Sequence, residues 1–165
     1  MKLYYSEFEA AGAMYYIAST EKGLAFVGSP DRAIVELKQF YRGADFAEDN
    51  LLNVKAARQI REYLEGRREE FDLPVDTSKG TPFQQKIWNT LKKIPYGTAI
   101  DYAGLAKLAG EPEAIRATSN AVARNPILFV LPCHRVILKN GGIGKYRAGS
   151  ELKEKLLKME GFIKD

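Results

Sequence analysis

The sequence has very little cysteine or histidine: its 165 residues include one of each, the neighbours Cys133 and His134. A single cysteine excludes an internal disulfide, and one cysteine with one histidine is too few for the usual four-ligand zinc site, so we expect no metal. No apolar run reaches the length of about 18 residues that a membrane-spanning helix needs. Segment 1–12 also lacks the long apolar stretch and cleavage site of a signal peptide. We therefore expect a soluble, cytoplasmic protein.

Acidic residues are scarce in the second half of the chain. Residues 82–165 contain 14 lysines and arginines against 7 acidic residues, a net charge of +7, although the whole chain carries only +4. Such an excess of positive charge suits a polyanionic partner such as nucleic acid. The alternative is a basic face that meets only solvent, and charge alone does not decide between the two.

The first part of the chain has the pattern of a small α/β domain. Residues 1–28 contain aromatic and β-branched clusters broken at Ala11-Gly12 and at residues 21–23, which predicts three short antiparallel strands. A helix should follow around residues 34–41 and a second amphipathic helix over residues 51–69. Their apolar spacing is carried in the first helix by Ile34, Leu37 and Tyr41.

A segment rich in proline, glycine and small polar residues, "FDLPVDTSKGTP", interrupts the helical pattern. We therefore expect an N-terminal α/β domain over residues 1–76, a linker over 77–81, and a mainly α C-terminal domain over 82–165. The C-terminal domain should begin with a helix, because Thr81 is a suitable N-cap and Pro82 suits the first helical position. The expected apolar stripe of this helix is Phe83, Ile87, Trp88 and Leu91.

Two short helices in close succession have the outline of a helix-turn-helix. Asp101 can cap a helix that begins at Tyr102 and stops at Gly110, and a second helix is expected over residues 111–124, ended by Asn125-Pro126. The first helix carries Tyr102, Leu105 and Leu108, and Ile115, Ser119 and Val122 of the second can face the first. Many helical hairpins bind nothing, so the outline alone is a weak signal.

The second helix of this pair has a surface suited to a nucleic-acid groove. Arg116, Asn120 and Arg124 recur at a spacing of four residues and share one face. Alanines lie between them, at positions 114, 117, 121 and 123. A smooth alanine surface that carries an arginine can approach a groove closely, where arginine can contact a phosphate or replace a base in the stack. The alternative is a solvated face in which alanine serves only helix propensity.

Cys133 and His134 do not form an obvious catalytic pair, because adjacent residues face different directions on a strand or a helix. His134 could still act through a bridging water if another group fixes its tautomer. A C-terminal helix with Ser150 as its N-cap and Gly161 as its stop offers Glu160, which falls on the inward side with Leu152, Leu156 and Met159. In this hypothesis Glu160 holds His134, and His134 polarises a water that takes the proton from Cys133. The thiolate then forms at a pH below the ordinary pKa of a thiol. The alternative is a Glu160 that simply reaches solvent.

The segment "PCHRV", residues 132–136, resembles the active-site signature of the 6-O-alkylguanine-DNA alkyltransferases. Further matches in order and spacing are "TPFQQKIW", "IPYGTAIDYAGLA", the pair Asn125-Pro126, "GGIGKY" and "LLKMEGF", which together cover nearly all of residues 81–162. The resemblance implies a ribonuclease H-like N-terminal domain with an antiparallel sheet plus helices, followed by a helical domain with a helix-turn-helix.

The resemblance also implies the functional residues. Cys133 becomes the alkyl acceptor, activated by His134, a water and Glu160. Tyr102 helps to rotate the target nucleotide and contacts the guanine, and Arg116 fills the gap left in the base stack. The implied DNA-binding residues are Tyr102, Arg116, Ala117, Asn120 and Arg124. The implied pocket and hinge residues are Asn125, Pro132, Val136, Tyr146 and Arg147. Position 147 is commonly serine in this family, so the serine hydroxyl contact is absent here.

The implied activity is a single irreversible transfer of an alkyl group from the 6-oxygen of guanine, or the 4-oxygen of thymine, to Cys133 after the nucleotide has been flipped out of the duplex. The implied partner is double-stranded DNA containing alkylated guanine, with no cofactor, no membrane and no obligate protein partner, and the protein is expected to act as a monomer. Three alternatives remain open at this point. They are a non-catalytic lesion-recognition protein, a transcription regulator that senses methylation, and a cysteine hydrolase that turns over repeatedly.

Overall fold

The computed structural model describes residues 1–164, which form two compact units. The first unit consists of Met1–Asp76 together with the short segment Pro126–Leu128, and the second consists of Thr77–Asn125 and the chain from Phe129 onward. No helix within residues 1–164 has the length and apolar character needed to cross a bilayer.

The first unit is built on a four-stranded mixed sheet in the order β3-β2-β1-β4. Strands β1 (Lys2–Ala10), β2 (Ala13–Thr20) and β3 (Gly23–Val27) pair antiparallel, as the sequence predicts. Strand β4 (Asp45–Glu48), which the sequence does not predict, pairs parallel with β1 and makes the sheet mixed. Four residues are too few to give a visible alternation of apolar and polar side chains, and only pairing with β1 fixes this strand.

Two helices accompany the sheet, α1 (Val35–Phe40) and α2 (Val54–Leu64). The α2 helix is shorter than predicted at both ends. It begins after Asn53, whose side chain is buried and accepts a hydrogen bond from the Ser19 hydroxyl at 2.6 Å. It ends before Gly66, which has a φ of +77° that a helix cannot continue. The core of this unit includes Leu3, Ala18, Ala25, Phe26, Leu37 and Tyr41.

The second unit opens with α3 (Pro82–Leu91), whose start follows the predicted capping signals. The Gln84 backbone N–H donates to Thr81 Oγ1 at 3.1 Å, and the Thr81 backbone N–H donates to Gln84 Oε1 at 3.0 Å, which completes a capping box. Trp88 is buried and its indole N–H donates to the Ala121 carbonyl at 2.7 Å. This bond ties α3 to the helix that contains Ala121.

Helices α4 (Tyr102–Leu108) and α5 (Ile115–Ala123) form the expected helix-turn-helix outline. Asp101 caps α4 by accepting the Gly104 N–H at 2.7 Å, as predicted. The α5 helix begins at Ile115 and not at residue 111, because residues 111–114 form a turn. The side of α5 that faces inward is formed by Thr118, Ala121 and Val122. Ile115 is 45% exposed, so the expectation that it packs toward the first helix is wrong.

A short pair of strands and a 3-10 turn connect α4 to the chain around Cys133. Strands β5 (Ile100–Asp101) and β6 (Val136–Ile137) pair in parallel, which brings the start of α4 beside the chain that follows a 3-10 turn at Cys133–Arg135. The last helix, α6, covers Ser150–Met159. Gly149, with a φ of +101°, occupies the N-cap position that we expected for Ser150, and the predicted stop at Gly161 is confirmed by its φ of +85°.

Candidate active site

Cys133 is the first residue of the 3-10 turn and lines a pocket of about 560 Å³ in the second unit. Its side chain is buried, and the wall around it comes from α4, α5 and the segment before α6. The other residues that line the pocket are Tyr102, Ser119, Val122, Ala123, Asn125, Leu138, Gly144, Lys145, Tyr146 and Arg147. A volume of this size lies in the range of pockets that hold small organic ligands.

Burial raises the pKa of the Cys133 thiol above its ordinary value. A hydrogen bond from the Asn125 side chain and the positive charges of Arg147 and Lys153 act in the opposite direction and offset part of this effect. Deprotonation of this thiol through a water and His134 therefore stays a prediction. The nucleophile is stored as a thiol, and it needs a base when it reacts.

His134 and Glu160 form the contact that the sequence predicts. His134 Nε2 lies 2.7 Å from Glu160 Oε2, and both side chains are fully buried, so the alternative in which Glu160 reaches solvent is wrong. A carboxylate oxygen only accepts hydrogen bonds, so Nε2 carries the proton and Nδ1 carries the lone pair. Burial lowers the pKa of His134, and the hydrogen bond and charge of Glu160 oppose that effect. His134 is therefore neutral near pH 7 and can act as a base.

Arg135 completes this buried cluster, and the sequence analysis did not identify it. Its Nε donates to Glu160 Oε1 at 2.8 Å and its Nη2 donates to Glu160 Oε2 at 3.0 Å. Its Nη1 donates to the Ile94 carbonyl at 2.8 Å, and its guanidinium lies 5.6 Å from the centre of the Tyr96 ring. Glu160 Oε1 also accepts the Gly97 backbone N–H at 3.2 Å. A carboxylate buried against a neutral histidine needs a cation. This requirement is the signal by which the sequence could have indicated a buried arginine or lysine beside Glu160.

Lys153 is a second buried cation that the sequence analysis missed. Its Nζ donates to the Val136 carbonyl at 2.6 Å and to the Lys145 carbonyl at 3.1 Å, so it joins β6 to the segment before α6. Burial lowers the pKa of Lys153 to about 8, and the negative charge that Cys133 can carry opposes this shift. The inward face of α6 contains Lys153, Leu156 and Leu157, and Glu160, the C-cap residue of this helix, is also buried. This face is rotated from the predicted stripe, since Leu152 and Met159 are only half-buried.

Comparisons with known proteins agree on one family across both units. Residues 82–162 match the model described as "6-O-methylguanine DNA methyltransferase, DNA binding domain", and residues 6–77 match that of its "ribonuclease-like domain". The inducible methylated-DNA–protein-cysteine methyltransferase of Bacillus subtilis is 45% identical over 150 residues, which cover 88% of this chain and 83% of that protein. The chain belongs to the 6-O-methylguanine DNA methyltransferase family.

Other members of the 6-O-methylguanine DNA methyltransferase family are similar over almost their whole length. The methylated-DNA–protein-cysteine methyltransferase of Methanosarcina acetivorans is 38% identical over 168 residues, which cover 96% of this chain and 99% of that protein. The crystal structure of Mycobacterium tuberculosis OGT in complex with DNA superposes with a TM-score of 0.80 at 29% identity, covering 96% of this chain and 92% of that one.

The residues to which the family resemblance gives a DNA-binding role lie in two places. Arg116, Ala117, Asn120 and Arg124 are exposed on α5 or at its C-terminal end. Tyr102 is half-buried at the start of α4 and lines the pocket, where burial raises the pKa of its hydroxyl and the charge of Cys133 adds to the effect. Because Ser119, Val122 and Ala123 of α5 also line the pocket, one helix joins the exposed arginines to the nucleophile.

Only some of the residues expected to form the pocket and the hinge line the pocket in the structure. Asn125, Tyr146 and Arg147 line the pocket, whereas Pro132 and Val136 are buried beside the 3-10 turn and do not line it. The Asn125 side-chain N–H donates to the Leu131 carbonyl at 2.9 Å, so this residue fixes the chain just before Cys133. The His134 and Tyr146 rings meet edge to face with their centres 6.4 Å apart.

Proposed function

We propose that this protein repairs DNA directly by transferring an alkyl group from the 6-oxygen of guanine, or the 4-oxygen of thymine, to its own Cys133. One observation carries the proposal. The only cysteine of the chain lines a pocket, and the next residue, His134, is held as a neutral base by the buried Glu160 carboxylate. The relatives named as methylated-DNA–protein-cysteine methyltransferases support the same chemistry.

The damaged nucleotide has to leave the duplex before it can react, because Cys133 is buried in its pocket. Extrusion of a nucleotide costs a few kcal/mol. Contacts made by α5 and α4 offset this cost. Arg116 takes the place of the extruded base, and Tyr102 guides the nucleotide into the pocket. The exposed position of Arg116 and the pocket position of Tyr102 support these roles. Asn125 would act as the hinge and Tyr146 as the aromatic side chain over the base.

The chemical step is a displacement at the alkyl carbon. His134 Nδ1 accepts the thiol proton through a water, while Glu160 and Arg135 hold the ring and stabilise the imidazolium that forms. The Sγ lone pair forms a bond to the alkyl carbon as the bond from that carbon to the guanine 6-oxygen breaks, and its electron pair leaves with the base. The departing guanine takes up a proton from the Tyr102 hydroxyl, whose raised pKa keeps it protonated until then. The proton held by His134 returns to Tyr102 through water, so both side chains end the reaction neutral.

The product is repaired guanine and an S-alkylcysteine. A thioether has no acyl carbon for water to attack, so the nucleophile is not regenerated and each molecule reacts once. The reaction requires no cofactor and one protein molecule. Because its substrate is DNA, we place the protein inside the cell, in the cytoplasm and with access to DNA.

The test is intact mass spectrometry after incubation with a duplex that carries one 6-O-methylguanine, with Cys133→Ser as the matched control. We expect a mass gain of one methylene group that maps to Cys133, stops at one equivalent and is absent from the control. Binding of the lesion without a mass gain would instead indicate a non-catalytic recognition protein. Conversion of more than one equivalent per protein molecule would indicate a hydrolase and would contradict the single-turnover chemistry.

A further inference from the structure

The wall of the Cys133 pocket contains a serine, Ser119, from the middle of α5. A serine inside a helix commonly donates a hydrogen bond to the backbone carbonyl four residues earlier. Ser119 does not make this bond, and within residues 1–164 its hydroxyl has no hydrogen-bond partner. The side chain is half-buried, so the pocket wall holds a hydroxyl group whose donor and acceptor are both unused.

Two other polar side chains of the wall differ from Ser119 in this respect. The Asn125 amide donates to the Leu131 carbonyl at 2.9 Å, and Arg147 Nη2 donates to the Asn125 carbonyl at 3.1 Å. These two side chains hold the chain around the nucleophile. The Ser119 hydroxyl holds no part of the described chain in this way, so a role toward the substrate is open to it.

The position of Ser119 along α5 indicates which part of the substrate it meets. Side chains three residues apart are neighbours on a helix surface and are separated by about 4.5 Å along its axis. Arg116, Ser119 and Val122 therefore form one row. Arg116 is exposed at one end of this row, and the buried Val122 lines the pocket at the other. Ser119 accordingly lies near the mouth of the pocket, one helical turn from the exposed arginine.

A nucleotide that leaves the stack carries its sugar and phosphates with it. The base must reach the buried Cys133, whereas the phosphates stay in water at the mouth. If Arg116 fills the gap in the stack, the displaced backbone passes the row between Arg116 and Val122, where Ser119 lies. A serine hydroxyl is a good donor to a phosphate oxygen, and hydrogen bonds to charged acceptors are stronger than those between neutral groups.

The α5 helix holds this hydroxyl in a defined place. The Trp88 indole N–H donates to the Ala121 carbonyl at 2.7 Å, and Thr118, Ala121 and Val122 are buried on the inward side of the helix. Serine also has a short side chain, which loses less conformational entropy on binding than a lysine or an arginine does. A single hydrogen bond from this position can therefore contribute most of its free energy to binding.

We propose that Ser119 is a DNA-binding residue whose hydroxyl donates a hydrogen bond to a phosphate next to the extruded nucleotide and so holds that nucleotide in the pocket during transfer. This inference rests on the proposed function and adds a substrate contact to the same site. Because the contact is made to the DNA backbone, it stabilises the extruded nucleotide whatever base or alkyl group that nucleotide carries.

The test measures rates of methyl transfer by intact mass under single-turnover conditions for the wild type and Ser119→Ala. The first substrate is a duplex with one 6-O-methylguanine. Two further duplexes carry a neutral methylphosphonate in place of the phosphate on the 5′ or the 3′ side of the lesion, and the free base 6-O-methylguanine has no phosphate at all. Alanine removes only the oxygen and favours the helix. Ser150→Ala, which removes an exposed hydroxyl at the start of α6, is the matched control.

We expect Ser119→Ala to lower the rate with the ordinary duplex by roughly ten-fold, the fold-change of one hydrogen bond to a charged group. One of the two methylphosphonates should lower the wild-type rate by a similar factor, and the same methylphosphonate should have little further effect on Ser119→Ala. The free base should react at the same rate with both proteins, which also shows that the variant is folded. Ser150→Ala should match the wild type with every substrate.

Three results would overturn the proposal while leaving the proposed function intact. The first is an unchanged duplex rate in Ser119→Ala. The second is an equal loss of rate with the free base, which would assign the hydroxyl to the base or to the fold. The third is a full effect of each methylphosphonate in Ser119→Ala, which would assign the phosphate contacts to other residues. If the wild type transfers no methyl group from the duplex or from the free base, the proposed function fails and this inference fails with it.

Discussion

The buried ion pair between Arg135 and Glu160 allows a prediction whose magnitude follows from the contacts. In Arg135→Met, Glu160 loses two charge-assisted hydrogen bonds, at 2.8 and 3.0 Å, and keeps those to His134 and to the Gly97 N–H. Hydrogen bonds to charged groups contribute about 1.5–3 kcal/mol each. Removal of one partner from a buried pair costs about 3–5 kcal/mol, because the remaining charge is left uncompensated. We therefore expect Arg135→Met to lower the free energy of unfolding by about 3–5 kcal/mol.

The assay is urea unfolding followed by the fluorescence of Trp88, the only tryptophan, which is buried in the same unit as the ion pair. The exposed ion pair between Lys86 and Glu111, at 3.0 Å, provides the matched control, and Lys86→Met should cost less than about 1 kcal/mol. The double variant Arg135→Met, Glu160→Gln should cost less than the sum of its single variants, by about 0.5–3 kcal/mol. Additive effects, or an Arg135→Met cost no larger than that of Lys86→Met, would refute the reasoning.

The same pair of variants separates a positioning role from a purely structural one. The charge of Arg135 acts to lower the pKa of His134, and Glu160 acts to raise it. The acid limb of the pH profile of transfer, where His134 becomes protonated, should therefore move to higher pH in Arg135→Met and to lower pH in Glu160→Gln. An acid limb that stays in place in both variants would indicate residues that only stabilise the fold. A limb that moves in the same direction in both variants would contradict the opposite effects of the two charges on the pKa of His134.

Three further predictions concern other buried or exposed groups. The Thr118 hydroxyl is buried in the described part of the chain without a hydrogen-bond partner, so Thr118→Val should raise the free energy of unfolding by about 1 kcal/mol in urea unfolding, and a loss of stability would contradict this. Because burial lowers the pKa of Lys153 from 10.5 to about 8, the unfolded chain binds more protons between these values, and the stability of the wild type should rise with pH across this window relative to Lys153→Met. In DNA-binding titrations, Arg124→Ala should reduce the slope of log affinity against log salt by about 0.9 if it contacts one phosphate, whereas Arg116→Ala should weaken binding with little change in slope if it fills the base stack. Equal slope changes in the two variants would contradict those separate roles.

Local signals in the sequence predicted the elements that depend on local interactions. Thr81 and Asp101 were identified as N-caps, and both accept the expected backbone N–H groups, because capping involves residues only three positions apart. The parallel strands β4, β5 and β6 were missed, since they are two to four residues long and are defined only by pairing with distant segments. The start of α5 was placed four residues too early, because the turn at residues 111–114 contains no strong helix breaker after Pro112.

The candidate site shows the same division between local pattern and tertiary contact. The inward position of Glu160 follows from helical spacing, and the need of a buried carboxylate for a partner leads to the only histidine. Arg135 and Lys153 were missed because long charged side chains are normally exposed. Both side chains donate hydrogen bonds to backbone carbonyls from other parts of the chain. Arg135 donates to Ile94, and Lys153 donates to Val136 and Lys145. Those acceptors have no signature in the sequence.

The raised pKa of Cys133 is consistent with a nucleophile that can be used only once. A permanent thiolate in an open site would react with any alkylating agent that reached it, and each such reaction would consume a protein molecule. Burial keeps the sulfur protonated, while Glu160 and Arg135 hold a neutral base one residue away. A base that enters the pocket excludes water, and this strengthens the effect of Arg147 and Lys153 on the forming thiolate. The arrangement therefore links deprotonation of Cys133 to the arrival of its substrate.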